Sequence, residues 1–136
     1  MKELNLPAKT GNLGTVIGFV TAELEAIGCP LKPRLQIELA VEEIFVNIAN
    51  YAHRPEVGEA TVRCAVDKEP LRVTIQFLDQ GKPYNPLAKK DADTSLPVEE
   101  REIGGLGILL VKKSMDSIDY AYKDGQNILT IKKHVD

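Results

Sequence analysis

Three short stretches of this 136-residue chain carry side chains able to act together on a substrate. In Glu42-Glu43-Ile44-Phe45-Val46-Asn47, Glu43 and Asn47 stand four residues apart. On a helix, side chains at that spacing lie one above the other, with about 6 Å between Cβ atoms, so a carboxylate and an amide are held side by side. The pair suits phosphoryl transfer. The amide oxygen is a hard ligand for Mg²⁺, and the carboxylate can take a proton from an attacking hydroxyl or water. For an isolated E-x-x-x-N the commoner outcome is a solvated helix face.

The second stretch, Phe77-Leu78-Asp79-Gln80-Gly81-Lys82-Pro83, is an apolar strand that ends in an aspartate followed by glycine. Such an aspartate can accept a hydrogen bond from a ligand amine, for example an exocyclic base amino group, and Gly81 lets a ligand come close to the backbone. Read alone, D-x-G is more often a turn. The third stretch, Gly104-Gly105-Leu106-Gly107-Ile108, places glycines directly before an apolar helix. Free amides at a helix amino terminus form an anion site, with the macrodipole behind them. The alternative is a hinge and helix entry without a ligand. The pattern matches neither G-x-G-x-x-G nor the P-loop, so a dinucleotide site is not expected.

The segments around these stretches read as follows. Residues 3–9 alternate like a short edge strand. Leu13, Ile17, Val20, Leu24 and Ile27 form the apolar stripe of a first helix that ends at Gly28. Pro30 and Pro33 break the chain before a second helix, predicted over about 33–53, with Ile37, Val41, Ile44 and Ile48 on its apolar face. Runs at 59–66 and 71–78 read as an antiparallel pair of strands. The proline-rich, acidic stretch that follows, about 82–103, is too long for a simple connection and reads as a lid. A helix from the glycines to about Met115 follows. Strands near 117–123 and 126–133 then meet at the hairpin signal Asp124-Gly125.

Composition narrows the function classes. The length suits one domain spanning 1–136, and 43% hydrophobic residues suffice for a core. The formal net charge of -3 argues against a protein that neutralises phosphate backbones, so nucleic acid is not an expected partner. The longest apolar stretch, Ile103 to Val111, contains three glycines and is far shorter than the roughly 20 residues of a membrane span. Without a signal-peptide pattern the expected location is cytoplasmic. Cys29 and Cys64 are far apart and lack metal-ligand spacing, so reduced, half-buried thiols are expected.

Each stretch is weak alone, but their order is specific. A helical E-x-x-x-N, a strand ending in D-x-G, a long lid and a glycine-rich helix start is the layout of the Bergerat ATP-binding fold of DNA gyrase, two-component histidine kinases and mismatch-repair ATPases. This sequence resembles that superfamily. Residues 38–47, 79–86 and 104–113 look more closely like its anti-sigma-factor serine/threonine kinases, and Met115-Asp116, Tyr120 and residues 125–130 also fit, so the resemblance covers nearly the whole chain.

The resemblance implies an α+β fold. Its form would be a two-layer α/β sandwich whose mixed, mainly antiparallel sheet is covered on one face by about three helices. It implies ATP and Mg²⁺ as cofactors, with Glu43 as general base and Asn47 as the Mg²⁺ ligand. Asp79, beside Gly81, would hydrogen-bond the adenine amino group. Gly104, Gly105, Leu106 and Gly107 would lie against the phosphates, and Arg101 would help bind the γ-phosphate or a partner. Asn50 stands where many relatives have histidine and would alter how Glu43 is oriented. Thr130 would touch the adenine through water. Pro83 replaces a second glycine of many superfamily members, as is common in the anti-sigma branch.

The implied activity is phosphorylation of an anti-sigma-factor antagonist by a homodimer that also binds a sigma factor or similar regulator. The implied dimer contact is the first helix and the strand before it. The competing reading is a non-catalytic nucleotide-binding module that switches partners. A bare fold without a nucleotide site is the third.

Overall fold

The computed structural model describes residues 1–52, 58–88 and 105–135. Among the described residues five strands form one sheet: β1 (Lys2–Pro7), β2 (Glu59–Lys68), β3 (Leu71–Asp79), β4 (Ser117–Lys123) and β5 (Gln126–His134). Their order is β1-β2-β3-β5-β4. All four pairings are antiparallel, which corrects the expectation of a mixed sheet. The physical reason lies in the return after β3. The chain passes through a helix and then the edge strand β4, so β5 enters between β3 and β4 running opposite to both.

Alternation decides which side chains face the helices. Ala60, Val62 and Cys64 of β2, Val73, Ile75 and Phe77 of β3, and Leu129 and Ile131 of β5 are buried, while the residues between them are mostly only partly covered. This inner face packs against α1 (Leu13–Ala26), α2 (Leu31–Asn47) and α3 (Gly105–Ser114). Helix α1 contributes Val16, Val20 and Leu24, α2 contributes Ile37, Val41, Ile44 and Phe45, and α3 contributes Val111. Together they form one continuous core. Burying a side chain of this size contributes about 1.5–3 kcal/mol before entropy is counted.

Helix α1 stops where Gly28 takes φ 68°, a conformation that costs glycine nothing. Pro30, with φ -59° and ψ 155°, is the last extended residue before α2, which places Pro33 in the first turn. Regular helix ends at Asn47, earlier than the sequence suggests, and the chain continues as a π-helical turn over Ile48–Ala52. In the hairpin between β4 and β5, Asp124 and Gly125 adopt φ 54° and 76°, the paired positive values that a two-residue turn needs. Cys29 is half-buried as expected, but Cys64 is 3% exposed inside the core because its position on β2 faces the helices. Both are free thiols. Among the described residues no helix is long and apolar enough to cross a membrane.

Candidate functional site

A pocket partly open to solvent lies between α2, α3 and the end of the sheet formed by β3, β5 and β4. Its walls are apolar: Ile44 and Ile48 from the second helix, Phe77 and Leu129 from the sheet, Ile108 from α3, and Pro86 from the segment after β3. Two amides and a carboxylate interrupt them, Asn47, Asn127 and Asp79, with Tyr84 and Tyr120 beside them. Among the described residues the two amides and the carboxylate are the buried polar or charged side chains, at 8%, 4% and 4% exposure. Buried polar groups carry a desolvation cost unless they are bonded, so their convergence on one cavity sets it apart from a mere packing gap.

Asp79 ends β3 as expected, and the next residues fold back onto it. The Gly81 N–H donates to Asp79 Oδ1 at 2.9 Å, an Asx-type turn that fixes the carboxylate above the pocket. Asn47 is the last regular residue of α2, and its Nδ2 donates to the Glu43 carbonyl oxygen at 3.0 Å. With the nitrogen so engaged, the amide oxygen is the end able to take a ligand.

Glu43 lies one turn back on the same face, against the first turn of α3. A Cβ at Gly107 would come within 1.8 Å of Glu43 Oε2 and 2.3 Å of its Cδ. The glycine is therefore what lets the carboxylate rest on the α3 backbone. Burial pushes the Glu43 carboxyl above its ordinary value, and the neighbouring Glu42 charge pushes it further the same way. A raised value suits a group that must exchange protons near neutral pH.

Two of the expected site residues do not wall this pocket. Thr130 occupies an outward-facing position of β5, between the inward-facing Leu129 and Ile131, and its hydroxyl accepts from Gln76 Nε2 at 3.3 Å on the open side of the sheet. Asn50 sits in the π-helical turn and does not wall the pocket. Gly105 opens α3, with Leu106 following in its first turn. Arg101, Gly104 and lid residues 89–103 lie outside the described residues.

Sequence reasoning assigned no role to Asn127, Tyr120 or Tyr84, which the structure brings together. Asn127 lies directly across from Asp79 in the β3–β5 register. Its Nδ2 donates to Asp79 Oδ1 at 3.0 Å and to the Lys82 carbonyl at 2.9 Å, with a longer contact of 3.4 Å to the Gly81 carbonyl. Its Oδ1 accepts from the Tyr84 N–H at 3.1 Å and from the Tyr120 hydroxyl. Burial raises the Tyr120 value, which keeps that hydroxyl a donor. Period-two alternation was the available signal, since it puts residue 127 on the same face as Leu129 and Ile131.

The donor set fits a nucleotide with a divalent cation. Apolar walls suit a flat base, a carboxylate at the closed end suits its amino group, and one amide oxygen suits Mg²⁺, which usually takes few protein ligands and completes its shell with phosphates and water. Among the described residues no group of three or more His, Cys, Asp or Glu side chains could hold a metal by itself.

Comparison with known proteins bears on the family and the fold. The chain is 25% identical over 134 residues to a protein named serine-protein kinase RsbW from Bacillus mycoides, and 24% identical over 132 residues to the protein of the same name from Bacillus cereus. In both cases the match covers 96% of this chain and 82% of the relative. The fold matches the crystal structure of the RsbU and RsbW domains of Rv1364c from Mycobacterium tuberculosis, with a TM-score of 0.66 at 13% identity. That match covers 99% of this chain and 33% of the other, so this chain spans about a third of the larger protein's length. The model of the histidine kinase-like ATPase domain matches residues 6–133, and the chain belongs to that family.

Proposed function

We propose that this chain is an ATP-dependent serine/threonine protein kinase of the anti-sigma-factor type. It would phosphorylate a small antagonist protein and hold a sigma factor or similar regulator when the antagonist is not available. The observation that carries this reading is the convergence of Asn47, Asp79 and Asn127 on one pocket, with Glu43 one helical turn before Asn47 and against the first turn of α3. Similarity to the proteins named serine-protein kinase RsbW supports the choice of a protein substrate.

In this reading each residue has a separate task. Asp79 accepts a hydrogen bond from the base amino group, which selects adenine. Asn47 offers its amide oxygen to Mg²⁺. The free N–H groups at the start of α3, from Gly105 onward, face the phosphates, with Gly104, Leu106 and Arg101 beside them. Glu43 accepts the proton of the attacking hydroxyl. Bound Mg-ATP supplies the transferable phosphoryl group and the charge that the metal offsets, and the protein mainly positions the partners.

The chain acts as a single domain with a lid over about 82–103, in the cytoplasm and as a homodimer. The outward face of α1, where Gly14, Gly18 and Ala22 are exposed, supports close approach of a second copy. A second reading, a partner switch that binds nucleotide without transferring phosphate, is favoured by one observation: Glu43 rests against Gly107 and does not wall the pocket. Incubation with γ-labelled ATP and candidate antagonist proteins separates the two. Transfer by the native chain and loss of transfer in Glu43→Ala support the kinase. Nucleotide binding without transfer to any candidate supports the switch.

A further inference from the structure

Asn127 is saturated by the protein itself. A side-chain amide offers two donors and one oxygen with two lone pairs. Here the donors are spent on Asp79 Oδ1 and the Lys82 carbonyl, with the Gly81 carbonyl sharing, and the oxygen is taken by the Tyr84 N–H and the Tyr120 hydroxyl. At 4% exposure the side chain lines the pocket and has no polar group left for a ligand. Its effect on anything bound there must pass through what it holds.

What it holds is the base-facing end of the pocket. Together with the Gly81 N–H, Asn127 places two donors on a single carboxylate oxygen of Asp79, which fixes the rotation of that carboxylate. The same amide ties down Lys82 and Tyr84, so the backbone leaving β3 is pinned to β5 at both ends of the turn. Resting on the adenine reading of Asp79, we infer that Asn127 is the positioning residue for purine selectivity: by locking Asp79 as a fixed acceptor it makes the pocket favour a 6-amino purine over a 6-oxo purine. A 6-oxo group would set an acceptor against that locked acceptor, and discrimination by an unpaired buried polar group is strong when the group cannot turn away. No other residue type of similar size offers the same set. Threonine has one donor, and aspartate would place a second carboxylate 3.0 Å from the first.

The test measures binding of ATP, GTP and inorganic tripolyphosphate, each with Mg²⁺, to the full chain and to Asn127→Ala, Asn127→Thr, Asn127→Asp and Tyr120→Phe. The expected result is a loss of ATP affinity of about ten- to hundred-fold in the first three variants. GTP affinity should change little, so that the ATP-to-GTP ratio collapses, and tripolyphosphate affinity should stay constant because the phosphate end is untouched. Asn127→Asp should regain ATP affinity relative to the native chain as the pH falls from 8 to 5.5, since one shared proton restores a donor. Tyr120→Phe removes a single bond from the outer side of the amide and should shift the ratio in the same direction by a few-fold, which keeps the assignment testable if larger changes at 127 prevent folding. An unchanged ATP-to-GTP ratio in the folded variants, with ATP affinity lost in Asp79→Asn, overturns the role of Asn127 alone. Native ATP affinity in Asp79→Asn overturns the adenine reading of Asp79, and the role of Asn127 with it.

Discussion

The carboxylate of Glu43 lies against the backbone of Gly107, so close that a methyl group on that glycine would start 1.8 Å from Oε2. This contact joins the middle helix to the first turn of α3 and sets where the carboxylate rests. Gly107→Ala should therefore separate stability from activity. The displaced atoms are the far end of a flexible side chain, and alanine is favoured over glycine in a helix by up to about 1 kcal/mol, so the melting temperature should hold or rise. Phosphoryl transfer should fall by about a hundred-fold or more, the usual contribution of a general base. In a Glu43→Gln background the same substitution should cost nothing further. Kinetics and thermal melts on the four proteins of that cycle check both parts.

The upward shift of the Glu43 carboxyl, caused first by burial and then by Glu42, gives a pH signature with a definite sign. The folded chain binds this proton more tightly than the unfolded one. The associated stability is therefore fully present below the ordinary value of 4.5 and is lost as pH rises through the folded value. Glu43→Gln keeps the neutral form at every pH, so it should melt above the native protein at pH 7 and together with it near pH 4. If Glu43 is the base, the acidic limb of the kcat/KM profile, which reports the free chain, should fall above 4.5. Melting curves across this range and a pH-rate profile are the measurements.

Asn47→Ala should remove the benefit of the metal and leave the base contact intact. Loss of a group that only orients a metal ligand weakens a metal site by about 10- to 100-fold, and loss of the ligand itself should cost at least as much. Mg-ATP affinity should fall by that order, toward the affinity that the native chain shows in EDTA. Metal-free ATP binding should change by less than about two-fold, within the few tenths of a kcal/mol that independent sites allow. Titrations with and without Mg²⁺ decide it.

Burial pushes the Cys64 thiol up to about 11, with the Glu23 charge adding to it, and burial also raises the half-buried Cys29. Only the thiolate reacts with alkylating reagents. Timed iodoacetamide treatment at pH 8, followed by intact mass, should show slow single labelling at Cys29 in the native chain and double labelling only in denaturant. Fast double labelling of the native chain would contradict the placement of Cys64 in the core.

The sequence revealed best what depends on one element at a time. Glu43 and Asn47 share a face because of helical period alone, and Asp79 ends a recognisable strand, so both were legible with no knowledge of neighbours. Asn127 was not, because its importance comes from lying across from Asp79, a pairing that joins distant parts of the chain through a helix and an edge strand. The parity of β5 was nonetheless present in the residues. Leu129 and Ile131 mark the inner face, which includes position 127 and excludes Thr130. The π-helical turn had no such signal. Ile48-Ala49-Asn50-Tyr51-Ala52 contains neither glycine nor proline, so a regular helix carried through to 53 was the natural reading. The Glu43–Gly107 contact belongs to packing between two helices, which one sequence does not specify.

The most direct measurement of the central claim, that this pocket binds adenine nucleotide through Asp79, is calorimetric titration of Mg-ATP into the native chain and into Asp79→Asn. The expected result is saturable binding at one site per chain in the native protein, weakened at least about ten-fold by a substitution that turns an acceptor toward the base amino group into a donor. Equal affinity in the two proteins, or no binding to the native chain, would contradict it.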